Sequence, residues 1–389
     1  MKLLHLIPTL TAAGAGPTEG LKNLAAATVR LGHDVAVATL DAPATDLPRN
    51  LGFAVHTLGP GFRSYGYTPH LLPWLRQHVR EFDALIVEGI WQYHSLAAWR
   101  AARAAGVPYF VFSHGMLSPW FKHHYPLKHL KKMLYWPFEY RVLRDAQAVL
   151  FTSGEEARLA RQSFRPYRIR EQLVGYGTRA PTGDADALRQ AFRDRHPELR
   201  DRRLLLYLGR LHPVKGCDQL IEAFAGFTAG HPDIHLIIAG PDQDGWQREL
   251  EAQAGRLGIS DRITWTGSLA PELKWGALHA ADALILPSHQ ENFGVVIAEA
   301  LACGKPVLIS DKVNIWQEVL ADGAGFVADD SVAGASVNLA AWLRLSRDEY
   351  AAMGLRARAC FDTRFEISRT AQRLLEVVGG AVQQRAART

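Results

Sequence analysis

The sequence predicts an α/β protein built from two successive doubly wound parallel sheets. Three observations carry this. Apolar runs of four to six residues recur with helix-like segments between them, the pattern of parallel strands covered on both faces. The rhythm breaks in a polar, proline-marked stretch at 178–203 and then restarts. The chain has 389 residues, more than one compact core organises but suited to two domains of roughly 150 to 200 residues.

The elements follow in order. Residues 3–7 read as a buried strand, 8–20 as a glycine-containing loop, and 21–31 as a helix stopped by Gly32; 33–40 is the second strand. This βαβ opening accounts for the apolar N-terminus, where His5 and Pro8 interrupt what would be a leader's apolar core, so no cleavage is expected. Strands at 84–87 and 108–112 flank the helix-like SLAAWRAARAAG, and 148–151 and 172–175 close the first half. After 178–203, strands are expected at 204–208, 234–239, 263–265, 283–286 and 307–310. The last stretch, 368–385, is an amphipathic helix with Leu374, Leu375, Val377 and Val378 on one side. The expected domains are 1–180, joined by 368–389, and 190–367.

Composition narrows the function classes. With 48% apolar residues the chain is not disordered, and no run approaches the roughly 18 apolar residues of a spanning helix. Cys217, Cys303 and Cys360 are odd in number and widely spaced, which argues against a disulfide framework and for a reducing compartment. The net charge of +5 is unevenly shared: residues 1–180 carry 21 Lys and Arg against 12 Asp and Glu, and the remainder 23 against 27. The basic half therefore faces something anionic.

Two motifs carry the chemistry of the second half. Gly209, Arg210, Lys215 and Gly216 directly follow a strand, and in a doubly wound sheet the carboxyl ends of strands face the ligand crevice. Arginine offers a planar fork to phosphate oxygens and lysine a mobile point charge. Downstream, PSHQENFGVVIAEALACGKP follows the strand ALIL. Gly294 permits close backbone approach, and the helix that begins after it presents free N–H groups suited to phosphate. Glu291, before the helix, and Glu299, two turns inside it, stand at two depths for hydroxyls of one elongated ligand.

Together these residues resemble the retaining glycosyltransferases of family 4. The pattern P-S-x-x-E-x-F-G-x-x-x-x-E-A-x-A-x-G-x-P-V carries that family's E-x7-E element at Glu291 and Glu299, and GRLxxxKG at 209–216, AGPD at 239–242 and TGSL at 266–269 follow its order and spacing. The resemblance implies a GT-B fold, two Rossmann-like domains facing a cleft, the second holding a nucleotide sugar and the first the acceptor. It assigns Arg210 and Lys215 to the diphosphate, Glu299 to the ribose hydroxyls, and Glu291 to the sugar near its reacting end. Backbone N–H groups of Asn292, Phe293, Gly294 and Val295 would assist the phosphates and sugar. The base would sit near Gly267, Ser268 and Leu269, with Gly240 and Pro241 lining the pocket.

The first half matches in part. Gly14-Ala15-Gly16-Pro17 resembles the glycine-rich loop that approaches donor phosphate and acceptor, with Gly16 at the matching position, although an alanine separates the glycines. His114, after the strand PYFVF, resembles the active-site histidine placed to contact the donor sugar, and Trp91–His94 would line the same crevice. Phe62, Tyr65 and Tyr67 form either an acceptor-sugar platform or loop packing. Residues 120–144 combine six Lys or Arg, one acid and seven aromatics, and Pro126 and Pro137 are expected to break the stretch into a short basic helix between turns. Such a segment fits an anionic bilayer or a lipid-linked acceptor, or else is a solvated helix with core aromatics; no nucleic-acid motif accompanies it.

The implied reaction moves a hexose from a nucleoside diphosphate sugar, UDP being favoured, to a hydroxyl of a glycan or lipid-linked acceptor with retention, in bacterial cell-surface or exopolysaccharide synthesis. His114, Glu291, Arg210 and Lys215 form the expected catalytic set. No cofactor and no metal are expected, because the histidines form no ligand cluster and basic groups neutralise the diphosphate. The alternatives are a GT-B sugar-nucleotide epimerase and a non-catalytic nucleotide-sugar-binding protein. The expected location is cytoplasmic, peripheral on the inner face of the plasma membrane.

Overall fold

Strand β1 (Lys2–Ile7) is buried from Leu3 onward and its side chains divide between two cores, as a central strand's must. Leu4 and Leu6 join one cluster and Leu3 the other. These positions come from a computed structural model of the chain, which describes residues 1–11, 15–47, 51–243 and 245–387. The chain divides into two units, Met1–Thr178 with Ile367–Thr389, and Arg179–Glu366.

The first unit continues with β2 (Asp34–Thr39), β3 (Ala54–Thr57), β4 (Ala84–Glu88), β5 (Tyr109–Phe112), β6 (Ala148–Phe151) and β7 (Glu171–Leu173). All pair in parallel, in the order β3-β2-β1-β4-β5-β6-β7. Alternation sorts the side chains: Leu85, Val87 and Val111 face one core, and Ile86, Phe110 and Phe112 face the other. Leu374 and Val378 of the helix Ile367–Ala386 pack into that second core. Each fully buried phenylalanine or leucine there contributes about 2 to 3 kcal/mol by leaving water.

The second unit holds β8 (Arg203–Leu208), β9 (Ile234–Ala239), β10 (Ile263–Gly267), β11 (Ala283–Leu286), β12 (Val307–Ser310) and β13 (Gly325–Ala328), ordered β10-β9-β8-β11-β12-β13. Both sheets reverse strand order beside their first strand, at β1/β4 and β8/β11. The carboxyl ends there are topological switch points, where open α/β sheets take ligands.

Three local expectations are corrected. The loop drawn over 8–20 is shorter, because the first helix begins at Ala15 and runs to Arg30. Pro17 lies in its first turn, where a missing N–H costs nothing. Within that helix Gly20 is a packing residue, since a Cβ there would lie 1.5 Å from the Tyr176 hydroxyl. The stretch 120–144 is not broken at Pro137: after a short turn of helix at Trp120–His124, a single helix spans Pro126–Asp145. Pro126 sits at its permitted start, and burial of the neighbouring Trp136 against Phe164, rings 4.8 Å apart, offsets the roughly 3 kcal/mol penalty of Pro137. Finally, the polar stretch 178–203 contains the helix Ala185–Arg195, so a boundary at 190 would cut it. Phe192 is fully buried, and Gly276 of the helix Pro271–Ala280 admits the Leu188 carbonyl where a Cβ would stand 2.4 Å away.

Candidate functional site

In the second unit, three backbone bonds bring together the loops that follow β8, β9 and β10. Gly209 N–H donates to the Ala239 carbonyl at 2.9 Å, Leu211 N–H to Pro241 at 3.0 Å, and Gly240 N–H to Gly267 at 2.9 Å. Gly240 adopts φ +148°, and a Cβ on it would lie 1.9 Å from the Gly209 carbonyl oxygen, so only glycine fits. Arg210, Gly240, Pro241, Gly267, Ser268 and Leu269 thus share one edge of the sheet, with Arg210, Pro241 and Ser268 exposed.

A second set of bonds joins the β8 loop to the β11 loop. His289 N–H donates to the Val214 carbonyl at 2.9 Å, and Gln219 Nε2 to Pro287 at 2.6 Å. Gly216, at φ +69°, passes so near Pro287 that a Cβ would stand 2.4 Å from its carbonyl oxygen. Across this seam Lys215 Nζ donates to Glu291 Oε2. Glu291 is held by its own backbone, which bonds to Lys312 and Asn314 on the β12 side. Gly294, at φ +72°, caps the helix Val295–Ala302, whose first N–H groups have no partner within the helix. Asn292 is half-buried, but the Phe293 side chain is core, 4% exposed and 5.6 Å from Phe365. Phe293 can therefore meet a ligand only through its backbone.

Glu299 lies deeper, 6% exposed, with Lys274 Nζ bonded to its Oε1 at 2.6 Å. Lys274 was not singled out in the sequence. It stands on the helix Pro271–Ala280, directly after the 267–269 turn, so the ion pair ties that turn to the Glu299 helix. No motif spacing marks it; only the packing of two helices distant in sequence does.

The first unit contributes a different arrangement. Glu88, at the end of β4, is buried between two histidines: His5 Nδ1 donates to Oε1 at 2.7 Å and His114 Nε2 to Oε2 at 2.6 Å. Burial pushes its pKa up, but these two bonds outweigh burial and hold it well below the usual carboxylate range. His94 Nε2 donates to the Glu88 carbonyl at 3.1 Å, and burial lowers the pKa of this imidazole to about 4. His114 adopts φ +46° and Trp91 φ +73°, left-handed conformations that non-glycine residues rarely hold. Strain of this kind collects at functional loops. Glu156 clamps the His114 turn: it accepts from Ser113 Oγ and Gly115 N–H, both at 2.6 Å, and from Thr152.

Sequence reasoning named neither Glu88 nor Glu156, because each reads as an ordinary charge at a strand or helix end. His114 itself is stacked on Phe112 and meets Tyr176 edge-on at 5.7 Å. The Tyr176 hydroxyl reaches the Pro17 carbonyl at 3.5 Å, which places Gly16 in the same neighbourhood. Gly14 lies outside the described residues. Tyr93 and His94 are buried rather than lining a crevice, and Trp91 packs on Trp136 and Phe164. Tyr65 and Tyr67 pack on Tyr93, while Phe62 is 63% exposed. Among the described residues no group of three or more His, Cys, Asp or Glu is arranged to hold a metal ion.

Comparison with known proteins places these loops in context. Residues 189–359 match the family model described as glycosyl transferases group 1, and residues 15–177 match that of the glycosyl transferase 4-like domain. A D-inositol 3-phosphate glycosyltransferase of Nocardia farcinica is 31% identical over 252 residues, 63% of this chain and 55% of the relative. An alpha-D-kanosaminyltransferase of Streptomyces kanamyceticus is 30% identical over 190 residues, 48% of each chain. The chain thus spans about half the length of the curated relatives it matches. Among solved structures, Anabaena HepE in complex with UDP and glucose superposes with a TM-score of 0.76 at 20% identity, covering 97% of this chain and 99% of that one. Sucrose-phosphate synthase from Thermosynechococcus elongatus gives 0.77 at 20% identity and covers all of both chains. The fold shared with these neighbours is GT-B.

Proposed function

Because the chain belongs to the group 1 glycosyl transferases, we propose that it moves a hexose from a nucleoside diphosphate sugar to an acceptor hydroxyl with retention at the anomeric carbon. The observation that carries this is the gathering of Arg210, Lys215, Glu291 and Gly294 at the switch point of the second sheet. Arg210, Lys215 and the N-terminus of the helix Val295–Ala302 offer positive charge to a departing diphosphate, preorganised before the bond breaks. The bond from the anomeric carbon to the diphosphate breaks as the acceptor oxygen bonds to that carbon on the same face. The acceptor proton passes to the leaving phosphate oxygen, and the products are the glycoside and the nucleoside diphosphate.

In this reading Glu299 accepts from the ribose hydroxyls, Glu291 and His114 meet the sugar, and Gly16 approaches the phosphates. Gly267, Ser268 and Leu269 lie along the base, beside Gly240 and Pro241. UDP is the favoured nucleotide, in keeping with the UDP held by HepE. No metal is needed, since the basic groups neutralise the diphosphate themselves. The acceptor is a glycan or lipid-linked hydroxyl of bacterial cell-surface or exopolysaccharide synthesis, and the first unit, with residues 1–180, binds it.

The helix Pro126–Asp145 supports a peripheral place on the inner face of the plasma membrane. Leu127, Leu130, Leu134 and Phe138 recur at helical spacing along one side and are 82%, 57%, 73% and 58% exposed. Lys128, Lys131 and Arg141 accompany them, a pairing suited to anionic headgroups over acyl chains.

The test is transfer by the purified chain from labelled UDP-hexoses to a panel of glycan and lipid-linked acceptors, with EDTA present and the product anomer read by NMR. Activity with retention, lost in Lys215→Ala, is expected. Binding without turnover across the panel, or undiminished turnover in Lys215→Ala, overturns the reading.

A further inference from the structure

At the amino-terminal edge of the first sheet, opposite the Glu88 and His114 loops, lies a cavity of about 740 Å³. That is within the roughly 300–1,000 Å³ of small-molecule sites. Its lining includes Arg80, Arg103, Arg144, Arg170 and Arg385, with Asp145 the one acid. Three helices end at it: Tyr93–Ala105, Pro126–Asp145 and Ile367–Ala386.

Part of this positive charge has a structural use. Arg103 Nη1 and Arg144 Nε donate to the two oxygens of Asp145, at 3.0 and 2.8 Å, and Trp99 Nε1 also donates to it at 3.0 Å. Arg170 donates to the Ala146 carbonyl through Nε and Nη2, at 3.1 and 2.6 Å. Cations at helix C-termini are stabilising in any case. The charges nevertheless do not cancel. Leaving Arg385 aside, four guanidiniums, one carboxylate and three helix ends of roughly −0.5 each sum to about +1.5. A phosphate monoester carries about −1.5 to −2 at neutral pH.

We propose that this cavity is an anion site of the first unit, one that binds a phosphorylated molecule of sugar-phosphate size at the sheet edge opposite the Glu88 and His114 loops. Arginines suit the task because a planar fork can keep one carbonyl or carboxylate contact while its remaining N–H groups grip phosphate oxygens. The Nη1 of Arg170, the Nη2 atoms of Arg103 and Arg144, and the exposed Arg80 supply those donors. A soluble sugar phosphate and a lipid headgroup both present this phosphate group, and the experiment tells the two sources apart.

The test is calorimetric titration of the full chain, saturated with UDP, with glucose 1-phosphate, together with flotation on vesicles containing or lacking phosphatidic acid. Wild type, Arg80→Gln/Arg144→Gln, and Arg80→Gln alone are compared after their circular dichroism has been matched. Arg144 is paired with Asp145, and Arg80→Gln remains informative should the double variant misfold. Saturable binding weakened at least tenfold in the double variant and severalfold in Arg80→Gln is expected, with affinity falling as salt rises. Arginine-dependent flotation on phosphatidic acid without glucose 1-phosphate binding assigns the site to a lipid headgroup. Binding of neither probe, or binding unchanged in both variants, overturns the proposal.

Discussion

Lys215 Nζ donates to Glu291 Oε2, so two residues 76 positions apart form one ion pair across the switch point of the second sheet. Each is mostly shielded from solvent, with side chains 16% and 20% exposed. The pair sets the lysine's direction before any ligand arrives and holds the β8 and β11 loops together.

Lys215→Ala and Glu291→Ala should therefore fail as a unit. Each is expected to lower kcat/KM by about 10² to 10³, the range for loss of one preorganised charge partner, and the double variant should be little worse than the worse single. Steady-state kinetics on all four proteins checks this; additive losses would mean that the two side chains act separately.

Lys274 and Glu299 predict a different signature. Glu299→Gln keeps the shape but weakens the charge-assisted bonds proposed to the ribose hydroxyls, so UDP and 2′-deoxy-UDP should bind more equally, with discrimination reduced about tenfold, or 1.4 kcal/mol. Lys274→Ala should weaken UDP binding while changing kcat less than KM. Calorimetry reads the first, and the split between kcat and KM reads the second.

The first unit should lose stability in acid for two reasons of the same sign. His94, held neutral to about pH 4 by burial, is protonated more readily in the unfolded chain, so stability falls as pH drops below about 6.5. The depressed Glu88 carboxyl adds a contribution present above about pH 4.5 and lost at still lower pH. Urea unfolding followed from pH 7 to 3 in a Glu139→Gln background, which removes a buried carboxyl of opposite sign, should show this decline. Glu88→Ala, which strips the shared partner from His5 and His114, should cost about 3 to 5 kcal/mol at pH 7.

Glu139 acts in the opposite direction. It is buried, and burial pushes its carboxyl up to about 7 against the opposing pull of Ser95 and the Trp91 backbone. Its folded form holds a proton that the unfolded chain releases near pH 4.5, so stability falls as pH rises through 7, by about 3 kcal/mol in all. Glu139→Gln should match wild type near pH 4.5 and exceed it at pH 8, as read from urea midpoints.

On the membrane side, Leu130→Glu/Leu134→Glu should reduce binding to anionic vesicles at least tenfold and leave UDP affinity unchanged. Equal co-sedimentation of variant and wild type would remove the membrane from the proposal.

Much of the second site could be read in the sequence because its groups lie on short contiguous runs, 209–216 and 287–299, each after an apolar strand. Periodicity fixes such strands, and the chain itself carries the loop to the sheet edge. The partners of those groups were not legible. Lys274 meets Glu299 only because two helices pack, and Glu88 collects His5 and His114 only because β1, β4 and β5 lie side by side. Pro137 misled for the same reason: a local rule predicts a break, while burial of Trp136 beside it decides otherwise.

The sequence by itself determined two parallel α/β sheets and the placing of Arg210, Lys215, Glu291 and Glu299 after the strands β8 and β11 of the second. Tertiary structure alone decided which charges neutralise one another, that Phe293 is core, and that arginines from positions 80 to 385 ring one cavity. Hydrophobic pattern and turn chemistry act over a few residues. Electrostatic pairing depends on distance in space, and only the folded chain sets that distance.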